Sequence, residues 1–109
     1  MKKTLLTFIG LVTSLIVNAQ WVSQATGFSN ISRGIDDIEI IDANTVWALA
    51  YDGSGGGATV QEFSFTADGG TTWVPGNINI GNTALTIGNL CAISASTAWV
   101  SAFDSNAGL

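Results

Sequence analysis

Beyond residue 20 the chain alternates short apolar or β-branched runs with clusters of Gly, Asn, Asp and Ser. Residues 35–41 read as a first strand, ended by the turn residues Asp42, Ala43 and Asn44. Residues 45–51 read as a second strand. It places Trp47 and Leu49 on one face and Val46, Ala48 and Ala50 on the other, because successive strand side chains alternate. The β-branched and aromatic content between turn residues favours strand over helix. The glycine-rich stretch 52–57 is a hairpin loop, and residues 59–65 form a third strand in which Val60 alternates irregularly with Phe63 and Phe65. A turn over 66–73 leads to a short fourth strand at about 72–74, which Pro75 and Gly76 end. The polar connection 77–86 carries Ile78 and Ile80, and residues 87–93 and 97–103 are two further strands. Upstream, residues 21–23 read as a short outer strand, followed by a loop of small and polar residues over 24–34.

These runs repeat. The stretch from Ala43 through Trp47 to Asp52 matches the stretch from Ala95 through Trp99 to Asp104, at an offset of 52 residues. At the same offset Ile38 falls on Leu90, Ile41 on Ile93, and Trp21-Val22 on Trp73-Val74. A period near 40–50 residues built from short strands indicates a propeller or another repeat array. Trp47 and Trp99 then occupy one repeated position, and with Trp73 they are expected to be core residues between units, with sugar stacking as the alternative.

The turn 66–73 reads Thr-Ala-Asp-Gly-Gly-Thr-Thr-Trp. Two glycines supply positive φ, and an Asp side chain accepts hydrogen bonds from backbone N–H groups just ahead of it. The pattern of Thr66, Asp68, Gly70, Thr72 and Trp73 resembles the Asp-box, or bacterial neuraminidase repeat, of sialidase-like and sortilin-like β-propellers. The resemblance implies an all-β fold: an antiparallel four-stranded β-propeller blade over about 35–86, and the start of a second blade over 87–109. The propeller would be incomplete, and 20–109 would be the N-terminal part of a longer protein whose remaining blades are missing from this chain. In that family the motif is a structural turn on the outer hairpin, away from the active centre, so Asp68 is expected to cap a turn and not to act as a catalytic acid.

Residues 1–19 carry Lys2 and Lys3, an apolar run over 4–17 and a small-residue cleavage site ending at Ala19, which reads as a secretory signal peptide. The apolar run is short for a membrane span. No Cys follows the cleavage site, which argues against a lipoprotein anchor, and cleavage before Gln20 resembles secreted proteins of Bacteroidetes-like bacteria. Without Lys2 and Lys3 the chain has Arg33 as its one base against eight acids, a balance that disfavours nucleic acid and anionic lipid. The single cysteine, Cys91, permits no intrachain disulfide and is expected to be a small buried hydrophobe.

Candidate chemistry is sparse. The chain has no His, which removes imidazole metal sites and His-based catalysis within it. The 52–57 loop lacks the Gly-Lys-Ser/Thr of a phosphate loop. Asp36, Asp37, Glu39 and Asp42 match no calcium-loop spacing and read as decoration at a strand end, with a metal site or paired glycosidase carboxylates as the alternatives. Sialidases of the resembled family hold the substrate carboxylate with arginines, the first in an Arg-Ile-Pro motif. Arg33-Gly34-Ile35 lacks that motif, and Arg33 reads as a surface residue. No catalytic residue, cofactor or metal ligand is therefore expected. The expected function is an exported, non-enzymatic propeller module that binds a protein or glycan at or outside the cell surface, in the manner of secreted proteins that carry a C-terminal sorting domain. A purely structural or adhesive repeat is a further reading. The alternative is the start of a sialidase-like glycoside hydrolase with its catalytic residues beyond Leu109.

Overall fold

The computed structural model describes residues 22–107, so the signal-peptide reading of 1–19 lies outside the described residues. The described chain is all-β, in two antiparallel sheets. The strands are β1 (Arg33–Ile40), β2 (Val46–Asp52), β3 (Glu62–Thr66), β4 (Val74–Asn77), β5 (Thr86–Ser94) and β6 (Thr97–Phe103). β1 to β4 form one sheet in sequence order, and β5 pairs with β6 in the other.

Three boundaries differ from the sequence reading. β3 starts at Glu62, three residues later than the apolar run suggests, because Thr59 and Val60 precede the pairing with β4. Pro75 and Gly76 lie inside β4 instead of ending it. A proline fits there because β4 is an edge strand, and Gly76 fits because the Phe63 ring of the paired strand fills the space a Cβ would take. Val22 and Ser23 are not in a strand.

The 52-residue period is a structural repeat. In the first sheet Gly34 pairs with Tyr51, Ile35 with Ala50, Asp37 with Leu49, Ile38 with Ala48, Glu39 with Trp47 and Ile40 with Val46. Adding 52 to every number reproduces the pairing of β5 with β6: Thr86 with Phe103, Ile87 with Ala102, Asn89 with Ser101, Leu90 with Val100, Cys91 with Trp99 and Ala92 with Ala98. The bulge recurs too, between Ile35 and Asp37 and between Ile87 and Asn89. It has a clear consequence. Residues three apart point to opposite faces of a regular strand, and one extra residue returns Ile35 and Ile38, like Ile87 and Leu90, to the same face. The loops repeat as well. The Asp52 carboxylate accepts the Ser54 N–H and that of Asp104 accepts the Asn106 N–H, while Asp42 and Ser94 cap the two β-turns through the N–H of Asn44 and of Ser96.

The two sheets stack face to back. The front face of the first carries Trp47 and Leu49 from β2, with Phe63 and Phe65 beside them. The Trp47 indole lies 5.2 Å from the Phe63 ring and 4.8 Å from the Phe65 ring, centroid to centroid. Against this face lies the back of the second sheet, and Leu49, Ile87 and Leu90 are the buried centre, flanked by Ile78, Ile80, Ala98 and Val100. β5 is the strand that rests on β1 and β2. Two hydrogen bonds fix the stack: the Trp47 indole N–H donates to the Ser94 carbonyl at 3.1 Å, and the Leu90 N–H donates to the Asp37 carboxylate at 3.1 Å. Behind the first sheet, part of the 22–32 segment lies over β3 and β4, where the Ser64 hydroxyl donates to the Thr26 carbonyl.

Candidate functional site

The 66–73 turn joins β3 to β4 and is held by its own side chains. The buried Thr66 hydroxyl donates to the Asp68 carboxylate at 2.9 Å and accepts the Gly70 N–H at 2.9 Å. The same carboxylate oxygen accepts the Thr72 N–H at 2.8 Å, and the Thr71 hydroxyl donates to the Asp68 carbonyl. Gly69 and Gly70 take φ values of 67° and 90°, the left-handed region that glycine enters at little cost. Gly69 N–H donates to the Asn44 carbonyl, which ties this turn to the one between β1 and β2. The half-buried Trp73 donates its indole N–H to the Gln24 side chain at 3.1 Å.

Charge follows from that geometry. The Thr72 N–H, and after it the Thr66 hydroxyl, hold Asp68 below the ordinary carboxylate range. Asp68 is thus anionic and committed to the turn at neutral pH, the opposite of what a general acid requires. The Asn44 and Thr45 N–H groups depress Asp42 in the same way, and the Ser54 hydroxyl with the Ala58 N–H depresses Asp52.

Several other acids and the arginine are also engaged by the fold. Asp37 accepts the Leu90 and Ile38 N–H groups, and Asp42 caps its turn. Among the described residues no three acids or cysteines converge as metal ligands would. Arg33 differs from the surface residue expected. Its side chain is 16% exposed and pairs with Glu62, with the guanidinium 2.7 Å from the carboxylate, so it bridges β1 and β3. The hydrogen bonds it donates to Glu62 raise its pKa further, and this cation is consumed by the fold.

Two expectations of burial are corrected. Trp99 shares the register of Trp47 but is 66% exposed, because no third sheet lies on its face among the described residues. Cys91 pairs across from Trp99 on that same face and is exposed for the same reason, not buried as a small hydrophobe.

One concavity was not visible in the sequence reading. It is a groove of about 490 Å³ beside β3 and β4, lined by Thr59, Gln61, Asn77, Ile78, Asn79 and Asn82 among others. Gln61 positions its far wall by donating its amide to the Asn82 and Leu85 carbonyls, both at 2.8 Å. The Asn79 and Asn82 side-chain carbonyls accept the Gly81 and Ala84 N–H groups, which fixes both amides. The lining is neutral apart from Glu62, which Arg33 already holds. The signal that could have found it is the recurrence of Asn at 77, 79 and 82 in a segment otherwise read as a polar connection.

Comparison with protein-family models, with curated proteins and with solved structures gave no match.

Proposed function

We propose that this chain is part of a repeat-built β-propeller of the Asp-box class, exported from the cell and acting by binding and not by catalysis. The particular role we infer is a glycan- or protein-binding module at or outside the cell surface. The observation that carries this reading is the recurrence of six strand pairs and a bulge at 52 residues, with the second unit's back laid on the first unit's front. Repeats of that kind bury their faces only by stacking, which is the logic of propellers and other arrays. The hydrogen-bonded turn at 66–73 supports the Asp-box resemblance.

Binding is favoured over chemistry by how the polar groups are spent. Asp68 and Asp42 cap turns, and Arg33 is paired with Glu62. The amide-lined groove offers neutral donors and acceptors of the kind that hydroxylated ligands use, and on this ground a glycan is the preferred ligand.

The test has two arms. Expression of the full chain in a bacterial host should release a product whose N-terminus is Gln20, read by mass spectrometry; retention of residues 1–19 would contradict export. Titration of the isotope-labelled product with neutral oligosaccharides should shift the amide resonances of Gln61, Asn77, Asn79 and Asn82. Shifts absent there, or release of sugar from a fluorogenic sialoside, would contradict the binding role.

A further inference from the structure

Among the described residues two sheet faces have no sheet against them, and by the 52-residue offset they correspond to the two faces joined inside the chain, with Ser101 in the place of Leu49 and no counterparts of Phe63 and Phe65. Within the chain, the back of β5 (Ile87, Leu90 and Ala92) lies against the front of β1 and β2. Subtracting 52 converts that back face into Ile35, Ile38 and Ile40 of β1, where Ile38 and Ile40 are 54% and 70% exposed. Adding 52 converts the front face into Asn89, Cys91, Trp99, Ser101 and Phe103, where Trp99 and Phe103 are 66% and 51% exposed. The 22–32 segment that backs the first sheet sits over β3 and β4, so among the described residues Ile38 and Ile40 on the β1 side of that back stay exposed.

We propose that the Trp99 face is a docking surface whose occupant is the β1 back of a second copy of this chain. The copies associate head to tail, as β5 does on the first sheet. A second copy is favoured because its β1 has the pairing, the bulge and the apolar spacing of β5, the strand that already makes this contact. The polar contact carries over too. Trp47 donates to the Ser94 carbonyl inside the chain, so Trp99 donates to the Asp42 carbonyl of the second copy. A contact between unlike faces is heterologous and leaves one open face at each end of a pair. This inference rests on the internal stacking and is independent of the glycan reading.

Sedimentation of the chain in reductant, which prevents disulfide dimers through Cys91, should show concentration-dependent association. Trp99→Asp removes the front face and Ile38→Asp removes the back face, so each variant alone should sediment as a monomer. A one-to-one mixture of the two should restore a dimer and nothing larger, because each variant keeps one intact face. A second measurement needs no substitution: a bulky maleimide on Cys91, which lies beside Trp99, should abolish association. The proposal is overturned if the native chain stays monomeric at high concentration. It is also overturned if either variant alone still associates, as association through residues 1–19 would require. Failure of the mixture to pair, or full association after Cys91 labelling, overturns it as well.

Discussion

The indole N–H of Trp47 and the backbone carbonyl of Ser94 meet at 3.1 Å, 47 residues apart in the chain. This contact brings the start of β2 to the far end of β5 and sets how one sheet rests on the other. Trp47→Phe keeps most of the packing on Phe63 and Phe65 but removes the donor. The expected loss is about 1 kcal/mol, the net worth of one hydrogen bond, read as a lower urea midpoint.

The repeated tryptophans should answer differently to truncation. Trp47→Ala removes a side chain packed in the inter-sheet core and should cost about 3–5 kcal/mol. Trp99→Ala, at the equivalent but exposed position, should change the stability of the monomer by about 0.5 kcal/mol or less. Urea unfolding of both variants at a concentration where the chain is monomeric checks the contrast.

Gly70 and Gly55 separate two costs of adding a methyl group. Gly55 has a φ of 79° and open space around it, so Gly55→Ala pays only for the left-handed backbone, about 1 kcal/mol. At Gly70 the new methyl would also collide with the Gln24 side chain that holds the Trp73 indole. Gly70→Ala should therefore lose about 1 kcal/mol more, through that hydrogen bond. Equal losses in the two melts would show that the Gln24 contact contributes nothing.

Acid should destabilise the fold through its turns. Asp42, Asp52 and Asp68 all titrate below the ordinary carboxylate range in the folded chain. In the unfolded chain they take up protons near the usual value of about 4, so between the two values the unfolded state binds more protons. Their contribution is complete above the unfolded pKa and is lost as pH falls through the folded ones. Thermal midpoints should accordingly drop below about pH 4, and Asp68→Asn, which keeps the acceptor for Thr72 but cannot titrate, should show a shallower drop.

Much of this fold is legible in the residues. The β-branched and aromatic runs give five of the six strands within a few residues, and the match around Trp47 and Trp99 gives the period. The turn at 66–73 is readable because Asp68, Gly69 and Gly70 have few other uses between two strands. What local pattern cannot show is which face finds a neighbour. Trp47 and Trp99 are alike in sequence and register, and only the placement of β5 over β2 buries one and exposes the other. The bulge after Ile35 is hidden for a related reason: its effect is on facing, and the polar pair Asp36-Asp37 looks like decoration. The groove around Gln61 depends on a loop folding back onto β3, which no periodicity encodes.

The central claim is that two copies of one strand pair stack front to back, and contacts between side-chain methyl groups measured by nuclear magnetic resonance test it most directly. Leu49 and Leu90 should give a strong cross-peak between their methyl groups, while the methyl group of Ala48 contacts Ile38 and those of Val100 contact Leu90 within their own sheets. A spectrum with both within-sheet sets intact but no contact between Leu49 and either Ile87 or Leu90 would contradict the stack.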